Sequence, residues 1–436
     1  MKKKKIKMFV CGPTVYDYSH IGHAKTYVQF DVVVRYLRYL GFDVFYLQNI
    51  TDLDDKIIQR AKELDVTPKD LAEKMEKEYY KDMKALYVTS VTKYARATDF
   101  VAAILKQVKI LLERGFAYET DDGIYFDLSK FKEYGKLSGR TTLEAEDAVS
   151  RIDEGVKKKN KGDFALWKKS KPDEPKWISP FGFSGRPGWH IEDTAITESH
   201  FGPQYDIHGG ARDLIFPHHE AEIAQMEAAY DKKPFVKYWL HTGFLTVNGQ
   251  KMAKSLRNFV TIQNALRDWT PQELRFWYIS THYRSPIDYS KQNLESARKS
   301  LERLNEFMRN VKNGKDKFRK NLIEETKKKF LAAMNDDFDT PRALAVIFDF
   351  VHHVNQVGGG KKAYKLMKKF DEIFRIFSES EEEKLPEEVE ELVKKRDEVR
   401  KHGDFKASDE LRERIKQAGY LIEDIGKGHR IKKIKK

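Results

Sequence analysis

Two short runs carry side chains that could act on a phosphate. His20-Ile21-Gly22-His23 offers two imidazoles, and Lys251-Met252-Ala253-Lys254-Ser255 offers two ammonium groups. Donors of these kinds, aimed at one triphosphate from two sides, would stabilise the charge of a phosphoryl or nucleotidyl transfer state without a covalent catalyst. Either run alone could equally be an ordinary polar or basic loop; its meaning depends on the element that carries it. Shortly before His20 stands Cys11, the only cysteine in 436 residues. A lone cysteine is most often a small buried hydrophobe, but one beside a possible nucleotide-binding loop is also a candidate for chemistry.

The surrounding pattern supplies the elements. Residues 6–11 read as a strand, followed by a turn with Gly12 and Pro13 and an amphipathic helix from about Ile21 to Leu40 that Gly41 stops. Asp43 to Gln48 reads as the next strand. A strand–loop–helix–strand run is a βαβ unit, whose ligands bind beyond the carboxyl ends of the strands. His20 to His23 then lie at a helix N-terminus, where free N–H groups and the dipole favour phosphate. The lysine run falls in a loop-like stretch between Gly249 and Asn258, inside a second α/β run from about Asp206 to Asn258. Between the two runs the pattern predicts an insertion over about 86–151, with a helix at Phe100 to Gly115 and a strand at Gly123 to Leu128. Charged residues 157–162 and the Pro- and Gly-rich residues 171–188 read as loops. From Ser290 strands disappear and helical periodicity runs to Phe377, with Gly358-Gly359-Gly360 read as a connection between helices. Glu379 to Glu383 and Pro386 mark a linker; a helical pair, about Glu387 to Gln417, leads into a basic tail, Lys427 to Lys436.

Composition narrows the classes. Formal net charge is +13, from 81 Lys and Arg against 68 Asp and Glu, which suits a polyanionic partner and equally describes a lysine-rich solvated surface. One cysteine excludes an intramolecular disulfide and fits a reducing setting. No apolar run is long enough to span a bilayer, and the basic first residues lead into no signal-peptide core, so a soluble cytoplasmic protein is expected. With 34% charged residues the composition leans towards a heat-adapted source.

Further motifs carry a resemblance. Cys11-Gly-Pro-Thr-Val-Tyr-Asp17, Asn49-Ile-Thr-Asp-Leu-Asp-Asp-Lys56, Tyr134-Gly-Lys-Leu-Ser138 and Gly185-Arg-Pro-Gly-Trp-His-Ile-Glu192 accompany the two runs. Asp206-Ile-His-Gly-Gly210, Phe216-Pro-His-His-Glu220 and Thr281-His-Tyr-Arg-Ser-Pro286 follow. In this order they resemble the class I aminoacyl-tRNA synthetases, specifically the cysteinyl-tRNA synthetases. The resemblance implies an α/β architecture: a Rossmann-like catalytic domain over 1–290 with an inserted subdomain and a lysine-loop region at about 245–290, then a helical bundle over 291–378 and an anticodon-binding region over 385–436. It implies that His20, His23, Lys251 and Lys254 are catalytic, and that ATP, carried with Mg2+, meets Gly22, His208, Gly209, Gly210, Asp213 and Lys254. It places Trp189, Thr51 and Asp54 near the cysteine substrate.

In the resembling family one zinc ion in the amino-acid pocket is held by two cysteines, a histidine and a glutamate, and binds the substrate thiolate. The matching positions are Cys11, Asp193, His218 and Glu222, so an aspartate stands where a cysteine is usual. Zinc accepts carboxylate oxygen at about 2.0–2.2 Å against about 2.3 Å for thiolate, and either ligand brings one negative charge, so the site should keep zinc but hold it less tightly. His219 reads as a residue that supports the ligands or packs beside them rather than as a ligand itself. Expected partners are tRNA(Cys), ATP and L-cysteine, with a monomer favoured and no membrane. Two rivals share the motifs: a ligase joining cysteine to an amino sugar, as in mycothiol synthesis, and a non-catalytic RNA-binding paralogue. The chain also begins about twenty residues later than is usual in the resembling family, so an N-terminal segment is expected to be absent or its start misplaced.

Overall fold

The computed structural model describes residues 4–140, 157–253, 256, 258–377, 386–425 and 428–433. Strand β1 (Lys5–Val10) runs from an exposed start into three fully buried residues, and Cys11 follows at its carboxyl end. Helix α1 (Ile21–Tyr39) returns the chain to β2 (Asp43–Ile50), which pairs with β1 in parallel, Met8 opposite Tyr46. Helices α2 (Asp55–Glu63) and α3 (Pro68–Ala85) lead to β3 (Lys93–Arg96).

The insertion then departs. Helix α4 (Val101–Glu113) packs on an antiparallel sheet of β4 (Ala117–Thr120), β5 (Gly123–Phe126), β6 (Phe164–Lys169) and β7 (Gly185–Pro187). This sheet extends well past the expected boundary at 151, which lies outside the described residues. Strand β6 falls between the two stretches read as loops, and β7 falls inside the second. Phe164-Ala165-Leu166-Trp167 is buried on both faces and so shows no alternation, while β7 is three residues holding a Gly and a Pro. Neither gives a periodic signal.

Helix α5 (Trp189–Phe201) brings the chain back to β8 (Tyr205–Ala211), helix α6 (Glu220–Tyr230) and β9 (Val236–Thr242). The main sheet has the order β3-β2-β1-β8-β9, with every pairing parallel. Successive strands move outward on one side of β1 and then on the other, so the order reverses between β1 and β8. Parallel α/β sheets bind ligands in the crevice at such a reversal. Beyond β9, a small sheet joins β10 (Leu245–Val247), β11 (Gln250–Lys251) and β12 (Ile287–Tyr289). Helices α7 (Ile262–Asp268) and α8 (Pro271–Ile279) lie between the last two strands.

Four helices complete the first compact unit: α9 (Lys291–Lys312), α10 (Leu322–Asn335), α11 (Thr340–Val357) and α12 (Lys361–Phe374). On α9 the buried Leu294, Ala297, Leu301, Leu304, Met308 and Val311 form one stripe at helical spacing. Gly358, at φ +103°, ends α11, so the triple glycine does connect two helices. The second unit pairs helices α13 (Glu387–Lys401) and α14 (Phe405–Gln417) with a hairpin of β13 (Tyr420–Ile425) and β14 (Gly428–Lys433). Part of the expected basic tail is therefore a strand, with Ile431 opposite Ile422 and packed on a core of Val389, Leu392, Val393, Ile415 and Tyr420. The expected linker at Glu379 to Glu383 lies outside the described residues. Among the described residues no helix is long and apolar enough to cross a membrane.

Candidate active site

His20 caps α1. Its Nδ1 accepts the backbone N–H groups of Gly22 at 3.1 Å and His23 at 3.3 Å, while His23 Nδ1 accepts the N–H of His20 at 3.4 Å. The two rings stack with centroids 3.8 Å apart. Because each Nδ1 is an acceptor, a neutral ring carries its proton on Nε2. Burial, aided by the charges of His20 and Lys56, holds the His23 pKa well below its ordinary value, so that ring is a neutral N–H donor. Gly22 cannot be larger: a Cβ there would lie 2.9 Å from the His20 ring.

Lys251 closes β11. Asn258 then fastens the following loop, accepting the N–H of Ala253 at 2.8 Å and donating to the Lys251 carbonyl at 3.0 Å. Past the loop, Val260 accepts the N–H of Ile21 and Ile262 donates to the Ser19 carbonyl. A cleft of about 480 Å3 is lined by His20, Gly22, His23 and Lys251. The two signature runs thus face one cavity. Lys254 lies outside the described residues.

The same cleft is lined by Cys11, Thr51, Trp189, Asp193, Asp213 and His218. Cys11, Asp193, His218 and Glu222 place one ligand atom each within 4.8 Å of one another, all four buried. They come from four successive parts of the fold: Cys11 at the end of β1, Asp193 in the first turns of α5, His218 in the turn Ile215–His219, and Glu222 in the α6 that follows it. His218 Nε2 lies 3.0 Å from Asp193 Oδ2 and 3.1 Å from Glu222 Oε1, and its Nδ1 faces His190 Nδ1 at 2.8 Å. Trp189 stacks on His218 with centroids 4.4 Å apart. Asp193 Oδ1 is buried with no hydrogen-bond partner, and the Glu222 oxygens, though 3.1 Å from His218 Nε2 and 3.4 Å from His208 Nε2, have no well-aligned one.

These groups are poorly served without a cation. Burial, then the charges of Glu222 and Asp193, push the Cys11 thiol far above its ordinary range. Burial also raises the Glu222 carboxyl. Burial disfavours a charged His218, yet the Glu222 and Asp193 carboxylates outweigh it and raise that pKa too. A bound divalent cation would reverse this by favouring thiolate, carboxylates and neutral imidazole together.

Four expected residues stand elsewhere. The His208 imidazole is fully buried behind the sulfur, its Nε2 3.2 Å from Cys11 Sγ, its Nδ1 2.6 Å from the Tyr205 hydroxyl, and its ring stacked on Trp239. It does not line the cleft. Gly209 and Gly210 make room for protein rings: a Cβ on Gly209 would meet Phe30 at 2.4 Å, and one on Gly210 would meet His219 at 2.9 Å. Asp54 caps α2 by accepting the N–H of Lys56 at 2.8 Å. His219 stands beside the sulfur, with Nε2 3.3 Å from Cys11 Sγ and Nδ1 2.9 Å from His241 Nε2.

One cleft residue escaped the sequence pattern. Lys25 is buried, and burial pulls its ammonium down to about 7. Its sole sequence hint is a cation near a helix N-terminus, where the dipole disfavours positive charge.

Comparison with known proteins shows the family. The family described as tRNA synthetases class I (C) catalytic domain matches residues 1–299, the DALR domain matches 329–380, and the cysteinyl-tRNA ligase anticodon binding domain matches 382–431. A cysteine–tRNA ligase of Pyrococcus horikoshii is 46% identical over 99% of this chain and 95% of its own length. Those of Thermococcus onnurineus and Methanococcus maripaludis are each 44% identical, over 98% and 97% of this chain and 94% of the relative. Among solved structures, methionyl-tRNA synthetase of Mycobacterium tuberculosis with methionyl-adenylate superposes with a TM-score of 0.62 at 17% identity, covering 81% of this chain and 83% of that one. At that identity the likeness concerns the fold. With a catalytic-domain match over most of its length and relatives near 45% identity along almost all of it, the chain belongs to the cysteinyl-tRNA synthetase family of class I aminoacyl-tRNA synthetases.

Proposed function

We propose that this cleft carries the cysteine–tRNA ligase reaction in two steps. The cysteine carboxylate attacks the α-phosphate of Mg-ATP, forming cysteinyl-adenylate and releasing pyrophosphate. The terminal 2′-hydroxyl of tRNA(Cys) then attacks the adenylate carbonyl, losing its proton as AMP leaves. The Nε2–H groups of His20 and His23 donate to the phosphoryl oxygens as charge builds in the transition state. Lys251 and Lys254 hold the departing pyrophosphate, and Asp213 accepts hydrogen bonds from the ribose. Thr51 and Trp189 bound the cysteine. The observation that carries this reading is the convergence of His20, His23, Lys251, Cys11, Asp193 and His218 on one cleft.

The donor set fits zinc: one sulfur, one imidazole nitrogen and two carboxylates, with Asp193 Oδ1 buried and unpartnered. When bound there by Cys11, Asp193, His218 and Glu222, zinc would supply a Lewis acid that selects a thiol over the less acidic hydroxyl of serine. That contrast matters because a cavity reading size alone separates such isosteres poorly. The second unit supports tRNA rather than an amino sugar as acceptor, and we read the protein as a cytoplasmic monomer with one zinc per chain.

The test is cysteine-dependent charging of tRNA together with metal analysis of protein purified without added zinc. About one zinc per chain and charging lost to a chelator are expected. Substoichiometric metal with chelator-resistant activity would overturn the zinc site. Activity with an amino sugar but none with tRNA would overturn the acceptor.

A further inference from the structure

Lys25 lies two residues past His23 and 1% exposed, yet it has no carboxylate within ion-pair distance among the described residues. Its Nζ donates instead to two backbone carbonyls, Gly243 at 2.5 Å and Ser285 at 2.8 Å. Filling this space would need no charge. What the ammonium adds is a single grip on two backbone oxygens from separate segments, Gly243 buried and Ser285 half-buried.

The two carbonyls belong to the roots of the small sheet that carries the lysine run. Gly243 stands just before β10 and Ser285 just before β12. These strands pair with each other in parallel, and β10 pairs with β11, whose last residue is Lys251. The roots approach so closely that a Cβ on Gly243 would lie 2.4 Å from the carbonyl oxygens of both Arg284 and Ser285. Beside Lys25, Thr26 Oγ1 meets Thr242 Oγ1 at 2.9 Å. Farther along, the exit from the loop is tied to the start of the same helix through Ile21 with Val260 and Ser19 with Ile262. The first two turns of α1 therefore hold both ends of the segment 243–262, and Lys25 is the polar pin at its entry.

We propose that Lys25 is a positioning residue for adenylate formation: it fixes the root of the β10–β11 hairpin on α1, so that Lys251 addresses the same phosphate chain as His20 and His23. This rests on the phosphate role assigned to those residues above. Charged donors about 1 Å out of place can lose two orders of magnitude in rate, so the pin acts through the geometry it sets rather than by touching ATP.

The full-length variants Lys25→Met, Lys25→Arg and Lys251→Ala are compared in ATP–pyrophosphate exchange and in single-turnover transfer from preformed cysteinyl-adenylate to tRNA. Lys25→Met is expected to raise KM for ATP and lower exchange by about tenfold each, with KM for cysteine and the transfer rate unchanged. Lys25→Arg, which keeps a buried cation with several donors, should restore most of the loss. Should Lys25→Met fail to fold, Lys25→Gln provides the same comparison with one donor group. Equal losses in exchange and transfer, or an unchanged KM for ATP, would overturn the proposal. If Lys251→Ala has normal exchange, the phosphate role of the lysine run itself fails; if Lys251→Ala is impaired while Lys25→Met is not, only the pin fails.

Discussion

At His20 the two ring nitrogens have separate tasks. Nδ1 is committed to the helix N-terminus, where it accepts two backbone N–H groups, so the proposed phosphoryl contact falls to Nε2. Asparagine can cap a helix but puts no donor where Nε2 stands. His20→Asn should therefore keep unfolding stability within about 1 kcal/mol and lose roughly 10²–10³ in exchange rate. A variant that exchanges normally would remove His20 from the chemistry. At Asp193, in the zinc site proposed above, oxygen in place of sulfur would set how strongly the metal is held. Asp193→Cys, adding a softer ligand beside Cys11, should slow zinc loss to a chelator by at least about tenfold. Followed with a zinc-sensitive dye, equal or faster release would mean that Asp193 does not ligate.

Helix α1 is the element on which the rest is assembled, and Asp31 is its anchor. The Asp31 carboxylate accepts from the N–H groups of Thr89 and Ser90 and from the Ser90 hydroxyl, and pairs with Arg35 at 2.7 Å and Arg275 at 2.9 Å. Arg275, fully buried on α8, also donates to the carbonyls of Leu86 and Phe374, after α3 and at the end of α12. Burial would raise the Asp31 pKa, but Arg275, Arg35 and Ser90 outweigh it and hold it below its ordinary value. Its contribution is thus present above the unfolded pKa of about 3.9 and is lost as pH falls through the depressed folded value. Asp31→Asn leaves a buried guanidinium uncompensated and should cost about 3–5 kcal/mol at pH 7. Denaturant unfolding should show the gap closing in acid, where the wild-type carboxylate is also lost. A gap that is constant with pH would mean that the lost contact is steric.

For the whole molecule, the division after Phe377 separates the chemistry from a second unit with its own small core. Every described cleft residue belongs to the first unit. Truncation after Phe377 should leave cysteine-dependent exchange intact while raising KM for tRNA by at least about tenfold, as expected when one of two linked contacts is removed. The salt dependence of tRNA binding should also become shallower, since fewer phosphate contacts release fewer counterions. Loss of exchange on truncation would show that the second unit supports the catalytic fold.

The sequence alone determined the chemistry available and the local frames that present it. The helix at Ile21, the parallel sheet implied by the first βαβ unit, and the imidazole and lysine runs were legible because capping, periodicity and motif spacing are local properties. So was the substitution at Asp193, once the chain's motifs were set side by side. Pairings between distant segments were decided only by the tertiary structure. His208 reads as a ligand-facing residue on its motif, but the parallel register of β1 with β8 sets it opposite Phe9, against a cysteine 197 residues away. Strands β7, β12 and β14 are too short or too polar to announce themselves, and they exist because neighbouring strands supply their hydrogen bonds. Lys25 is the sharpest case. Its place near a helix N-terminus hints at something unusual but not at a role, because the two carbonyls it grips come from segments 218 and 260 residues distant.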